Sequence, residues 1–387
     1  MKGRKLLMIP GPIEFDPAVM EVMGAATTSH VAPEFIEIFG QALERMRQVW
    51  LATDGQPFAV AGSGTLAMDM AVANLIEPGD RALVINTGFF SDRMASILER
   101  YGAEVDHVRA PLGDRPSTEE VESALRQANY KVMTITHVDT STGVLADLES
   151  WAKLSCHWET LTIVDGVCSL AAEELRQQDW CVDVALTASQ KAVGVPPGLA
   201  LLVAGPRALE AFRRRRRPVA NYYADWNSWL PIMEAYEARQ RSYFATPATN
   251  LVAALNVSLG QILDEGMDAR FERHRRMSRA VKAAVSALGL DQVPARDDIA
   301  AHTLTAPRYP EGVDSGLLDH VKAAGVILAG GLHPNIKTEY FRIGHMGVTN
   351  FGDILATIGA LEQGLMAAGY DFEPGAGLAA AQAFLLD

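Results

Sequence analysis

Cysteine is scarce in this chain, with three residues in 387, Cys156, Cys168 and Cys181. An odd, sparse set without a Cys-x-x-Cys pair excludes a disulfide framework and predicts free thiols in a reducing compartment. Long apolar runs are missing too. Nothing approaches the roughly 18 residues of a membrane span. The stretch Leu6 to Ile9, preceded by Lys2, Arg4 and Lys5, is too short for the apolar core of a secretion signal and stops at Pro10-Gly11-Pro12. The final Phe384-Leu385-Leu386-Asp387 is not a peroxisomal address, so a cytoplasmic location is expected. The nine histidines are scattered, with no His-x-x-x-His or His-x-Glu spacing, and no metal is expected in the chemistry. A dinucleotide fingerprint, Gly-x-Gly-x-x-Gly with an acid about 20 residues on, is absent near the first strand, which argues against a dehydrogenase.

Positive charge is in deficit. The net charge of −13 argues against nucleic acid or an anionic membrane as the main partner. The exception is Arg213 to Arg217, five arginines in a row, read as a solvated helix end before Pro218. What remains, 49% hydrophobic and 21% charged, is an ordinary globular composition. The length suggests a large domain with a smaller companion.

From about residue 57 to 205, apolar runs alternate with amphipathic segments. Pro57 to Ala61, Arg81 to Asn86, Val105 to Ala110, Lys131 to His137, Thr160 to Asp165, Val182 to Ala188 and Leu199 to Ala204 read as seven strands. Between them lie helices such as Asp147 to His157, with Leu148, Trp151 and Ser155 on one face and Asp147 as cap. This alternation predicts an α/β fold, a largely parallel sheet with helices on both faces. Residues 206–245 read as irregular and aromatic-rich. A helical region from Pro247 to about Leu288 breaks near Gly266, and a small α/β unit and an Ala-rich last turn follow. The expected division is an N-terminal segment 1–14, a large domain 15–260 and a small C-terminal domain 261–387.

In a parallel sheet, ligands sit beyond the carboxyl ends of the strands. Four polar features fall there. Ala61-Gly62-Ser63-Gly64-Thr65 opens a helix, where free amides and hydroxyls suit a phosphate; no lysine follows, so it is not a P-loop. Asn86-Thr87-Gly88-Phe89-Phe90 places aromatics after a strand. His137-Val138-Asp139-Thr140-Ser141-Thr142-Gly143 is a polar turn. Asp165 ends an apolar strand and needs a partner. Lys191 follows the next apolar run, where burial would leave a neutral, nucleophilic amine. Phosphate cradle, aromatic plate, acid and lysine together match pyridoxal phosphate.

The same residues carry a family resemblance. The chain resembles the class V aminotransferases of fold type I, in particular the alanine–glyoxylate/serine–pyruvate branch. The likeness runs through Ile9-Pro10-Gly11-Pro12, Ser29-His30-Val31-Ala32-Pro33-Glu34-Phe35, the motifs above, and Ser189-Gln190-Lys191-Ala192. It continues in Tyr243-Phe244-Ala245-Thr246-Pro247 and Phe341-Arg342-Ile343-Gly344. It implies a mostly parallel seven-stranded large domain and a smaller C-terminal α/β domain. Lys191 is implied as the catalytic lysine bonded to the cofactor aldehyde, and Asp165 as the acid on the ring nitrogen. Phe90, or Phe89 beside it, is implied as the ring plate. Ser63, Gly64, Thr65 and Gln190 would hold the phosphate, with Thr140 near the ring hydroxyl. Tyr243 and Thr246 match positions that reach the phosphate of a neighbouring subunit, which implies a homodimer. Arg342 would clamp the substrate carboxylate, with Gly11 beside it. Ala32, where many relatives have serine, and Cys168 depart from the pattern and are expected at the entrance or at dimer contacts.

The implied reaction moves an amino group from alanine or serine to glyoxylate or pyruvate by a ping-pong route. A second arginine for a dicarboxylate is not apparent, which favours small monocarboxylates; aspartate stays open should the Arg213 to Arg217 run fold inward, and ureidoglycine and pyridoxamine remain further alternatives. A cysteine desulfurase needs a nucleophilic cysteine in the C-terminal third, and here the last cysteine is Cys181.

Overall fold

In the computed structural model, residues 5–384 are described; Lys2, Arg4 and Leu385 to Asp387 lie outside that range. All seven expected strands form. They are β1 (Gln56–Ala61), β2 (Arg81–Asn86), β3 (Glu104–Arg109), β4 (Val132–Thr136), β5 (Leu161–Asp165), β6 (Val184–Ala188) and β7 (Leu199–Ala204). They join in one sheet of order β1-β7-β6-β5-β4-β2-β3. The pairings from β6 to β3 are parallel, while β7 runs antiparallel to both its neighbours. Strands β4 to β7 are buried along their whole length, as expected of a sheet covered on both faces. The edge strand β3 instead carries charged residues outward, which blunts further pairing.

The connection from β6 to β7 is a tight turn over residues 189–198, too short for a crossover helix, and this is why β7 returns antiparallel. Ser189 fixes that turn. Its hydroxyl donates to the Pro196 carbonyl (2.8 Å) and accepts from the Leu199 amide (3.2 Å).

Two expectations are corrected. Residues 206–245 are not irregular: they contain the helices Pro206–Arg213 and Trp226–Glu237. Trp226, Trp229, Met233 and Tyr236 recur at helical spacing and are buried; Pro231 inside the run masks that period. Asp147 does stand at the start of helix Leu148–His157, but its carboxylate accepts no capping bond. The arginine run ends helix Pro206–Arg213 as expected, with Arg214 paired to Glu210 and Arg215 donating to the Ile76 carbonyl (2.7 Å).

Beyond the sheet, helices Thr249–Glu265 and Met267–Ala287 meet at Gly266. They lead to a three-stranded antiparallel sheet of Leu304–Thr305, Phe341–Gly344 and Ala329–Gly330, followed by helix Phe351–Ala367 and the short helix Ala376–Gln382. The N-terminal Leu6–Leu7 pairs in parallel with Val326–Ile327. One buried apolar cluster runs from Val19 to Ile262 and a second gathers Met8 with residues 280–381. A third, including Ile13, Cys168, Ala192 and Met346, lies where the turns after the strands meet the C-terminal part. No described helix is long and apolar enough to cross a membrane.

Candidate active site

The turns at the carboxyl ends of β1, β2, β4, β5 and β6 converge with β-strand Phe341–Gly344 and with Pro10-Gly11. Lys191 sits in the β6–β7 turn, and its ammonium donates to the Pro10 carbonyl. Burial lowers its pKa, and the nearby Arg342 pushes it further in the same direction; Cys168 and Asp165 oppose the shift. A lysine with a depressed pKa is a better base and nucleophile near neutrality.

Gly11 is required by this contact. Its φ is +108°, and a Cβ placed there would lie 2.5 Å from Lys191 Cδ and 2.9 Å from Nζ. Gly11→Ala is therefore expected to strain the backbone and displace the lysine together. Cofactor occupancy should fall at least tenfold, with about 1–3 kcal/mol lost from stability, which equilibrium dialysis and denaturant unfolding would measure.

Asp165 ends β5 and is 3% exposed. One carboxylate oxygen accepts from the Val167 amide at 2.9 Å. Desolvation dominates its titration and raises its pKa to about 7; the Val167 bond and the charges of Arg93 and Lys191 offset part of this, while Asp139 adds to it. Asp139 is a second buried carboxylate, and its work is local. It accepts from the Phe90 amide (3.0 Å) and from the Ser141 amide and hydroxyl (2.9 and 2.6 Å). Ser141 in turn accepts from the Phe89 amide (3.0 Å). The polar turn after β4 thus caps helix Phe89–Arg100 and fixes both phenylalanines. Their rings meet edge to face at 5.4 Å.

The glycine-rich start of helix Gly64–Leu75 lies against this group. A Cβ on Gly64 would sit 3.0 Å from Val167 Cγ2, just past Asp165, and 3.1 Å from Ala188 Cβ at the end of β6. Ser63 is the N-cap without a side-chain capping bond. Ser63 and Thr65 are exposed. Helix starts leave such amides free for an anion. The buried Gln190 amide oxygen has no partner; flipping the amide presents its N–H₂ instead.

Arg342 is delivered by the small sheet. Its Nε donates to the Gly330 carbonyl (2.9 Å) and its Nη1 to the Thr140 carbonyl (3.3 Å). No carboxylate among the described residues pairs with it. Tyr340, two residues earlier, accepts from the Leu332 and His333 amides and donates to the Ser141 carbonyl, so the small sheet is tied to the turn that carries Thr140.

Two members of the constellation were not anticipated. Cys168 is not at an entrance: it is 1% exposed and lies near Thr140, Lys191 and Arg342, and burial raises its thiol pKa. Its place three residues after Asp165, on the turn leaving the same strand, was the available signal. Arg93 lies over the faces of Phe90 (4.8 Å) and Phe89 (5.3 Å) and donates to the Thr65 hydroxyl (3.3 Å); its i+3 spacing from Phe90 on a helix was the signal. Tyr243 and Thr246 are exposed and hydrogen-bond to none of the site residues among the described set; Tyr243 packs on His30. Ala32 is the N-cap of helix Pro33–Val49 and offers no side-chain cap.

A neutralisable lysine, a buried acid with spare acceptor capacity, an open helix start and a guanidinium without a carboxylate all face one region. These are the groups an aldehyde-bearing, phosphorylated pyridine requires. Residues 19–333 match the family described as Aminotransferase class-V. The chain is a class V aminotransferase. It is 42% identical to alanine–glyoxylate aminotransferase 1 of Saccharomyces cerevisiae, over 90% of this chain and 93% of that one. It is 31% identical to the serine–glyoxylate aminotransferase of Arabidopsis thaliana, over 99% and 96%. Among solved structures, ureidoglycine–glyoxylate aminotransferase of Bacillus subtilis superposes with a TM-score of 0.93 at 27% identity, covering 100% of this chain and 99% of that one. Pyridoxal phosphate is the cofactor, and the residues described fit it.

Proposed function

We propose that this aminotransferase moves the amino group of a small amino acid, alanine or serine, to glyoxylate. The observation that carries the substrate size is Arg342, a guanidinium without a carboxylate partner, while the other guanidinium of the site, Arg93, is engaged on the Phe89 and Phe90 rings and the Thr65 hydroxyl. A monocarboxylate satisfies it; a dicarboxylate would leave a second charge to be paired. Glyoxylate is common to the names of the three relatives above.

When bound, pyridoxal phosphate supplies an aldehyde that condenses with amines and a protonated ring that accepts electrons. The phosphate would be held by the amides at Ser63, Gly64 and Thr65, the hydroxyls of Ser63 and Thr65, and Gln190. Phe90 would form the plate for the ring, backed by Arg93, with the Phe89 ring edge-on to that of Phe90. Thr140 would serve the ring hydroxyl. Asp165, ionised, would pair with the ring N–H and keep the proton on that nitrogen. Arg342 grips the substrate carboxylate in a fork and fixes the α-carbon, with Gly11 leaving the space beside Lys191. Lys191 Nζ then takes the α-proton and returns it. The amino acid leaves as keto acid before glyoxylate binds, so the kinetics are ping-pong.

We also propose a homodimer in which Tyr243 and Thr246 serve the phosphate of the neighbouring subunit. Their exposure and their lack of a role in their own site support it. A fully active monomer by light scattering contradicts it.

Single-turnover mixing tests the substrate assignment. Alanine and serine should discharge the visible absorbance of the lysine-bound cofactor, and aspartate should do so at least tenfold more slowly; faster discharge by aspartate overturns the monocarboxylate reading. Arg342→Lys keeps the charge but loses the fork. It should weaken binding of the amino acid by about 1.5–3 kcal/mol, raising KM roughly 10- to 150-fold, with a smaller change in kcat.

A further inference from the structure

The turn that leads into β6 carries Cys181, and helix Leu148–His157 carries Cys156 near its end. Both lie at the end of the sheet opposite Lys191. They line the same cavity, of about 200 Å³, together with Gln177, Asp183 and Arg207. Both thiols are partly accessible, unlike Cys168. Cys156 and Cys181 face each other across this cavity closely enough for Cys181 to influence the titration of Cys156. Cys181 is held there by a left-handed backbone, φ +61°, in a turn closed by its own amide on the Gln178 carbonyl (3.2 Å).

Arg207 completes the group. Its Nη1 donates to Cys156 Sγ at 3.1 Å, its Nη2 donates to the Thr160 carbonyl at 3.2 Å, and its Nε lies 3.6 Å from Asp183. The guanidinium is therefore anchored at two points and offers a fixed N–H to the sulfur. Burial raises the Cys156 thiol pKa, and the Arg207 charge opposes that shift, favouring the thiolate that attacks a disulfide.

We propose that Cys156 and Cys181 form a redox-active dithiol, a modification site that a low-molecular-weight disulfide of the glutathione type closes to an intramolecular bridge. The Cys156 thiolate attacks one sulfur of the small disulfide; a new S–S bond forms and one small thiolate leaves. Cys181, giving its proton to solvent, then attacks Cys156 Sγ and expels the bound small thiol as the second thiolate. Two electrons pass from the cysteine pair to the small disulfide. Both thiols are partly accessible to the reagent, and their place in one cavity makes the second step intramolecular.

The test uses the holoprotein, incubated with glutathione disulfide, quenched by alkylation in denaturant and analysed by mass. The wild type should lose two hydrogens and accept one alkyl group, on Cys168, and should yield a Cys156–Cys181 linked peptide that dithiothreitol opens. Cys156→Ser and Cys181→Ser should each retain a glutathione adduct on the remaining thiol and keep wild-type transaminase activity. Three alkylated cysteines in the wild type, stable double adducts without a bridge, or a bridge to Cys168 would each overturn the proposal. None of these outcomes depends on the substrate assigned to the active site.

Discussion

Lys191→Ala should reduce turnover by about 10⁴-fold or more, because one substitution removes both the cofactor-bonding amine and the base that handles the α-proton. The fold should survive. Lys191 is buried enough that its charge is disfavoured, and its single hydrogen bond, to the Pro10 carbonyl, links it to a segment already held by Ile13 N on the Gln190 carbonyl (3.2 Å). The melting temperature of the cofactor-free variant should match or exceed that of the cofactor-free wild type, since removing an ammonium from a desolvated site relieves a cost. A variant that retains turnover within tenfold would sink the assignment. An unfolded variant would show instead that the lysine's contacts hold the turn.

Asp165→Asn has the second largest expected effect. An asparagine cannot carry the charge that keeps a proton on the ring nitrogen, and breaking a buried charge pair costs about 3–5 kcal/mol, roughly 10²- to 5 × 10³-fold in kcat/KM. The cofactor-free protein should respond differently. Its Asp165 titrates near 7, well above the ordinary carboxyl value of 3.8, chiefly because it is desolvated. The folded state then holds a proton that the unfolded chain has released. The contribution is fully present below about pH 4 and is lost as pH rises through about 7. Cofactor-free wild type should therefore lose stability across that window, while Asp165→Asn should lose less. With cofactor bound, the ring N–H pairs the carboxylate, so the gap between loaded and unloaded melting temperatures should widen with pH in the wild type. A gap that does not depend on pH would remove Asp165 from this role.

Much of the site was legible because its residues interrupt apolar runs. Asp165 and Lys191 follow strands whose neighbours are all buried, and a charge in such a place demands an explanation from sequence alone. The seven strands were legible for the same reason, with ends displaced by a residue or two. The direction of β7 was not, since an apolar run carries no sign of orientation; only the shortness of the 189–198 turn encodes it. Helix Trp226–Glu237 was hidden by Pro231, whose disruptive weight in a local reading is overruled by the burial of four large side chains on one stripe. Cys168 and Arg93 were missed because each reaches the site through a neighbour, one across the turn after Asp165, the other over the Phe90 ring. Contacts of that kind exist only after the turns are folded together.

The central claim is that Lys191 alone bonds the cofactor. Reducing the holoprotein with borohydride and mapping its peptides tests this directly. The account predicts one cofactor-derived mass addition per chain, on the peptide that contains Lys191, and none in Lys191→Ala. Modification of a different lysine in the wild type, with Lys191 recovered unmodified, would contradict it.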